Sequence, residues 1–197
     1  MSLTENDLTP LTDSYLNSLN RHRRLFAELD KHAPTLAQLF AICQQSLNNK
    51  GKLIFCGNGG SAADSQHLAA EFMVRYKLDR APLRAIALTT DTSILTAHSN
   101  DYNFDSVFER QVQALVDPQD VVIGLSTSGN STNVNRALKA ANALGAHTVA
   151  FTGRDGGEVK DIAKLSIIVE CDETARIQEA HLFMGHWLCE AFDLVLA

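Results

Sequence analysis

The chain has 197 residues, of which 45% are hydrophobic and 20% charged; this ordinary globular composition sets aside disordered and fibrous classes. The length suits one well-buried core rather than two domains. A formal net charge of −6 argues against direct nucleic-acid binding, which needs a basic face for the phosphate backbone. Small phosphates stay open as ligands, provided backbone amides hold them. No stretch approaches the roughly 20 uninterrupted apolar residues that span a bilayer, so no membrane association is expected. The opening Met1–Asp7 is polar and acidic, without the basic-then-apolar order of a signal peptide. Cys43, Cys56, Cys171 and Cys189 are scattered and form no Cys-x-x-Cys pair; they point to a reducing cytoplasm.

Two helices are expected before any strand. Leu16, Leu19 and Leu25-Phe26 have helical spacing, and a second run follows through Leu36, Leu39-Phe40, Ile42 and Leu47. Pro34 suits the first turn of that second helix, and Gly51 lies where a C-terminal cap belongs. Residues 1–50 therefore read as a helical extension packing on the core and on neighbouring subunits, ahead of a main domain over 51–197. From Gly51 onward short apolar runs alternate with amphipathic segments. The runs are Leu53–Cys56, Ala85–Leu88, Val121–Leu125, Thr148–Phe151 and Ser166–Val169. Continuous apolar strands alternating with helices predict a parallel sheet covered on both faces. The fold class is α/β: a three-layer, doubly wound, five-stranded parallel sheet of flavodoxin-like type with N-terminal helices. Ligands of such sheets sit beyond the carboxyl ends of the strands.

Two loops occupy that edge. The first strand runs into Gly57-Asn58-Gly59-Gly60-Ser61-Ala62, and the third into Ser126-Thr127-Ser128-Gly129-Asn130-Ser131; a helix follows each. Glycines let the backbone approach a ligand, the helix start favours negative charge, and hydroxyls add neutral hydrogen bonds. Neither loop contains Lys or Arg, so amides and hydroxyls would do the binding. Strand-to-helix turns are often Gly/Ser-rich for geometry alone; two in one sheet make that bland reading weaker. Gly57-x-Gly59-x-x-Ala62 fits a dinucleotide fingerprint only superficially, because no acidic residue closes a second strand about 20 positions later. Asp79, near that position, lies among Lys77, Arg80 and Pro82, a loop by composition.

His67 and Glu71 are four apart and share one helix face. The C-terminal helix carries Arg176, Gln178, His181 and His186. Imidazole and carboxylate are borderline ligands for zinc or a similar ion, which an amide oxygen can complete; most such i, i+4 pairs are merely solvated. Gln178 and His186 are eight residues apart, about 12 Å along a helix axis. Both reaching one ion from the same helix would be strained, so a neighbouring subunit is expected to supply part of any site. Arg21-His22-Arg23-Arg24 reads as a solvated face, and Gly153–Gly157 as a structural turn after the fourth strand.

Taken together, Cys56–Asp64, His67-Leu68-Ala69-Ala70-Glu71, Asn100-Asp101, Ser126–Ser131 and Arg176-Ile177-Gln178-Glu179-x-His181 resemble the phosphoheptose isomerases, which share the SIS (sugar isomerase) fold. The resemblance runs from about the second helix to the C-terminus. It implies an aldose–ketose isomerase converting sedoheptulose 7-phosphate to D-glycero-D-manno-heptose 7-phosphate, the first step towards ADP-heptose and the heptose of surface glycans. It places substrate contacts on Asn58, Gly59, Gly60, Glu71, Asn100, Asp101, Ser126, Thr127, Ser128, Ser131 and Gln178. Zinc ligands, for one Zn2+ per subunit, fall on His67, Glu71, Gln178 and His186, and the acid–base pair on Glu71 and His186. It implies a homotetramer with sites at subunit interfaces. Asn103 departs from the pattern, standing where many members carry a small residue. The rival resemblance is to the DnaA initiator-associating protein, a SIS-fold tetramer that binds a protein partner and lacks the equivalents of Glu71 and His186.

Overall fold

The computed structural model describes residues 5–196, so the reading of the first few residues lies partly outside the described part. Helix α1 spans Glu5–Phe26 and α2 spans Ala33–Asn48, joined by a 3-10 turn at Leu29–His32. Pro34 stands in the first turn of α2, as its missing amide allows. At the other end of α2 the left-handed residue is Lys50 (φ +62°), not Gly51. The amides of Lys50 and Gly51 fold back to the carbonyls of Leu47 and Ser46, a Schellman closure. Gly51 follows instead because a Cβ there would lie 2.5 Å from the Gln119 carbonyl.

Five strands follow: β1 Leu53–Gly57, β2 Ala85–Ala87, β3 Val121–Ser126, β4 His147–Gly153 and β5 Leu165–Val169. Every pairing is parallel, in the order β2-β1-β3-β4-β5, the flavodoxin-like order with its switch point between β1 and β3. The intervening helices are α3 Gly60–Met73, α4 Thr92–Asp101, α5 Val107–Leu115 and α6 Thr132–Ala143, with α7 Thr174–Leu196 closing the chain.

The pleat divides the core in two. Leu53, Phe55, Ile123 and Leu125 face one side, where Leu39, Cys43, Leu68, Phe72, Ile177, Met184 and Phe192 of α2, α3 and α7 cover them. Ile54, Cys56 and Val122 face the other, beneath Val107, Phe108, Val112, Val134 and Leu138 of α5 and α6. No described helix is long and apolar enough to cross a membrane.

Arg21, Arg23 and Arg24 of the basic run are exposed, as a solvated face requires, and His22 is half-buried. Arg21 reaches Glu173, just before α7, at 2.8 Å, and His22 reaches Glu179 of α7 at 2.8 Å. Sequence distance hid these partners, about 150 residues away along the chain.

Candidate active site

Both loops lie at the carboxyl edge of the sheet on either side of the switch point, after β1 and β3. They open α3 and α6, so two positive helix ends point the same way. Gly59 precedes α3 in a left-handed conformation (φ +57°), and it and Gly60 are exposed. In the second loop Gly129 has φ +69°, and a Cβ there would meet the Gly156 carbonyl at 2.0 Å. Only glycine suits that position, both for its backbone and for its room. The turn after β4 thus backs the loop: Asn130 Oδ1 accepts from the Glu158 amide at 3.0 Å, and the Val159 amide donates to the Gly129 carbonyl at 2.9 Å. Gly153–Gly157 is structural support, as its composition suggested.

Within the loops, the Ser126 and Ser131 hydroxyls lie 2.9 Å apart, Ser128 Oγ accepts the Asn130 amide at 3.2 Å, and Thr127 is half-buried. Asn58 makes a reciprocal amide pair with Asn133 at 2.8 and 2.9 Å. Asn133 is buried in the first turn of α6, and its Oδ1 also accepts the Val134 amide. Sequence reasoning missed it. The signal available was a carboxamide in the first turn of a helix entered from a Ser/Gly loop, where apolar neighbours leave a polar side chain needing a partner.

Helices α3 and α7 run side by side in the same direction: Gly60 abuts Gln178, Leu68 abuts Gly185, and Lys77 bonds Asp193. This registry brings His67, Glu71 and His186 together. His67 Nε2 is 2.7 Å from His186 Nε2 and 3.7 Å from Glu71 Oε1. The His67 side chain is 45% exposed and that of Glu71 21%. The Tyr76 ring stacks on His186 with centroids 5.7 Å apart. Burial, then the charge of His67, hold His186 below the ordinary imidazole range, while Glu71 pulls the other way. Asp64, one turn before His67, is raised by burial, with His67 opposing. Its Oδ2 is buried without a hydrogen-bond partner.

Gln178 does not join this cluster within the chain. Its amide lies where a Cβ on Gly60 would be 2.5 Å away, and seven residues of α3 separate Gly60 from His67, about 10 Å of helix. Asn100 and Asp101 stand exposed at the end of α4, with the Asn100 amide donating to Asp101 at 2.9 Å. Asn103 begins the next turn, its Oδ1 accepting the Ser106 hydroxyl at 2.9 Å.

The donor set of His67, Glu71 and His186, two imidazoles and a carboxylate, is chemically suited to zinc. As they stand, no group of three or more described His, Cys, Asp or Glu side chains is arranged to hold an ion. The 2.7 Å between the two Nε2 atoms agrees with that, because two imidazole nitrogens sharing a tetrahedral ion lie about 3.3 Å apart. The rings would have to part by a few tenths of an ångström. The cluster brings together a carboxyl group and two imidazoles whose Nε2 atoms face each other within hydrogen-bond distance.

Fold and loops define the class of protein. The family model described as "SIS domain" matches residues 14–153, running from α1 through β4. Among curated relatives, phosphoheptose isomerase of Aquifex aeolicus is 56% identical over 168 residues, 85% of this chain and 87% of that one. Phosphoheptose isomerase of Akkermansia muciniphila is 52% identical over 168 residues, covering 85% and 89%. Among solved structures, phosphoheptose isomerase of Neisseria gonorrhoeae superposes with a TM-score of 0.88 at 44% identity, covering 93% of this chain and 98% of that one. The chain belongs to the phosphoheptose isomerases, a family of SIS-domain enzymes.

Proposed function

We propose that the protein interconverts sedoheptulose 7-phosphate and D-glycero-D-manno-heptose 7-phosphate, the first step towards ADP-heptose. The observation that carries this is the meeting of Glu71 with His67 and His186 on the two parallel helices, one of which opens at a phosphate-type loop. Moving a carbonyl between C1 and C2 requires a base, an acid for the oxygens and stabilisation of the enediolate charge. Glu71 takes the proton from the carbon next to the carbonyl and returns it to the former carbonyl carbon of the enediolate, which regenerates the base. His186, whose partial burial favours its neutral form, gives a proton to the former carbonyl oxygen and takes one from the neighbouring hydroxyl as the new carbonyl forms. The loop amides and the Ser126, Ser128 and Ser131 hydroxyls hold the phosphate end. Binding energy remote from C1 thereby positions the reacting end.

His67, Glu71 and His186 would hold a zinc ion, and such an ion supplies Lewis-acid polarisation of the carbonyl when bound. Gln178, remote from these three within the chain, would complete a neighbouring subunit's site in a homotetramer. The presence of both Glu71 and His186, and their convergence, favours the enzyme over the protein-binding regulator of the same fold.

The test is turnover of sedoheptulose 7-phosphate by purified protein with added zinc, after chelation, and in Glu71→Gln. Loss of a general base costs on the order of 10²–10⁴ in kcat, so Glu71→Gln should be nearly silent while keeping its fold. No conversion by folded, zinc-loaded protein would reject the isomerase reading and turn the search to a protein partner.

A further inference from the structure

The segment joining α3 to β2 crosses α7 just behind the His67–Glu71–His186 cluster, and its centre is an ion pair. The side chains of Arg80 and Asp193 are 5% and 6% exposed and 3.1 Å apart. The Arg80 guanidinium also donates to the carbonyls of Glu71 and Phe72, each at 3.0 Å. These belong to the last turn of α3, whose carbonyls lack partners within the helix. The second Asp193 oxygen accepts the Lys77 and Leu78 amides at 2.8 and 3.0 Å. One side chain therefore grips the backbone of Glu71 itself. Through Asp193 it also grips the helix carrying His186, two turns earlier on α7.

A buried ion pair is a poor device for stability alone, because apolar side chains of similar size often serve as well. What a planar five-donor fork offers over an apolar plug is fixed geometry. Here that geometry concerns two helices in direct contact, since a Cβ on Gly185 would lie 2.6 Å from Leu68 Cδ2. Small slippage between them would separate the acid from the base.

We propose that Arg80 and Asp193 are positioning residues for the Glu71–His186 pair, setting the relative placement of α3 and α7 without touching substrate. The proposal rests on the acid–base reading given above.

Two variants test it. Arg80→Lys keeps a cation for Asp193 but cannot fork to both carbonyls. Arg80→Met/Asp193→Leu removes both charges together, so neither is left buried alone. Circular dichroism and melting curves establish folding; kcat and KM for sedoheptulose 7-phosphate, and imidazole 15N signals of His67 and His186 in metal-free protein, read the positioning. Misplacement by about 1 Å can cost about 100-fold, so kcat should fall at least about tenfold in Arg80→Lys and further in the double variant. KM should stay within about twofold, because the phosphate loop is at the far end of α3. The imidazole signals should move. Wild-type kcat with unmoved signals in a folded variant overturns the proposal, as does a loss of kcat matched by an equal rise in KM. If the wild-type protein itself fails to turn over the substrate, the isomerase reading falls, and the imidazole signals alone then decide the positioning role.

Discussion

Two reciprocal amide bonds join Asn58 to Asn133, so truncating either side chain strands the other carboxamide between the two loops. Such an unpaired group costs about 1–3 kcal/mol. Asn133→Ala should lower the melting temperature accordingly and raise KM for the sugar phosphate more than it lowers kcat, because it loosens the spacing of the anchoring loops and leaves Glu71 untouched. Steady-state kinetics on the folded variant separates the two effects. His181 carries a second prediction. It is fully buried, its Nε2 lies 3.1 Å from the Thr152 carbonyl, and burial pulls it down from 6.5 to about 4, with the Thr152 bond opposing. The unfolded chain therefore binds the proton first. Stability present at neutral pH is lost as pH falls from about 6.5 towards 4, by up to about 3 kcal/mol. Melting curves between pH 7.5 and 4.5 should show this decline, and His181→Gln, able to donate to the same carbonyl, should flatten it.

At the scale of elements, the contact between α3 and α7 has no slack at Gly185. Gly185→Ala would press a methyl group against Leu68, and overpacking of a tight core costs about 1–3 kcal/mol. Circular dichroism melts should show that loss, with kcat falling as the helices part. Strands β1 and β3 were legible in sequence because, buried along their whole length, they are continuous apolar runs; the edge strand β2 shows as Ala85-Ile86-Ala87 although Ile86 is exposed. The loops were legible because glycine and hydroxyl residues cluster where strand gives way to helix. The helix ends were less so: Lys50 takes the left-handed position one residue before the expected glycine, while the approach of the Gln119 carbonyl is what requires glycine at position 51. Asn133 offered only the weak signal of its place in a helix's first turn, and the Arg80–Asp193 pair offered none. Their partners lie 75 and 113 positions away, and no local spacing announces such a pairing.

For the whole molecule, α1 leaves Leu8, Leu11 and Tyr15 in an exposed row at helical spacing, with Tyr15 67% exposed, and Phe183 of α7 is 49% exposed. That face fits helix packing between copies of the chain, in keeping with the proposed tetramer. Leu11→Glu combined with Tyr15→Glu should shift the mass measured by light scattering from tetramer to smaller species. If Gln178 completes a neighbour's site, activity should fall in parallel.

The neutral phosphate loops have a further consequence. An anionic sugar approaches a chain of net charge −6, and the attraction it eventually meets comes from amides and helix ends that act only over a turn or so. Ions in solution weaken forces reaching beyond about 10 Å at 0.1 M, so they remove the distant repulsion more completely than the close embrace. Moderate salt should therefore quicken the encounter between enzyme and substrate rather than slow it, the reverse of what an enzyme with a lysine-lined phosphate pocket would show.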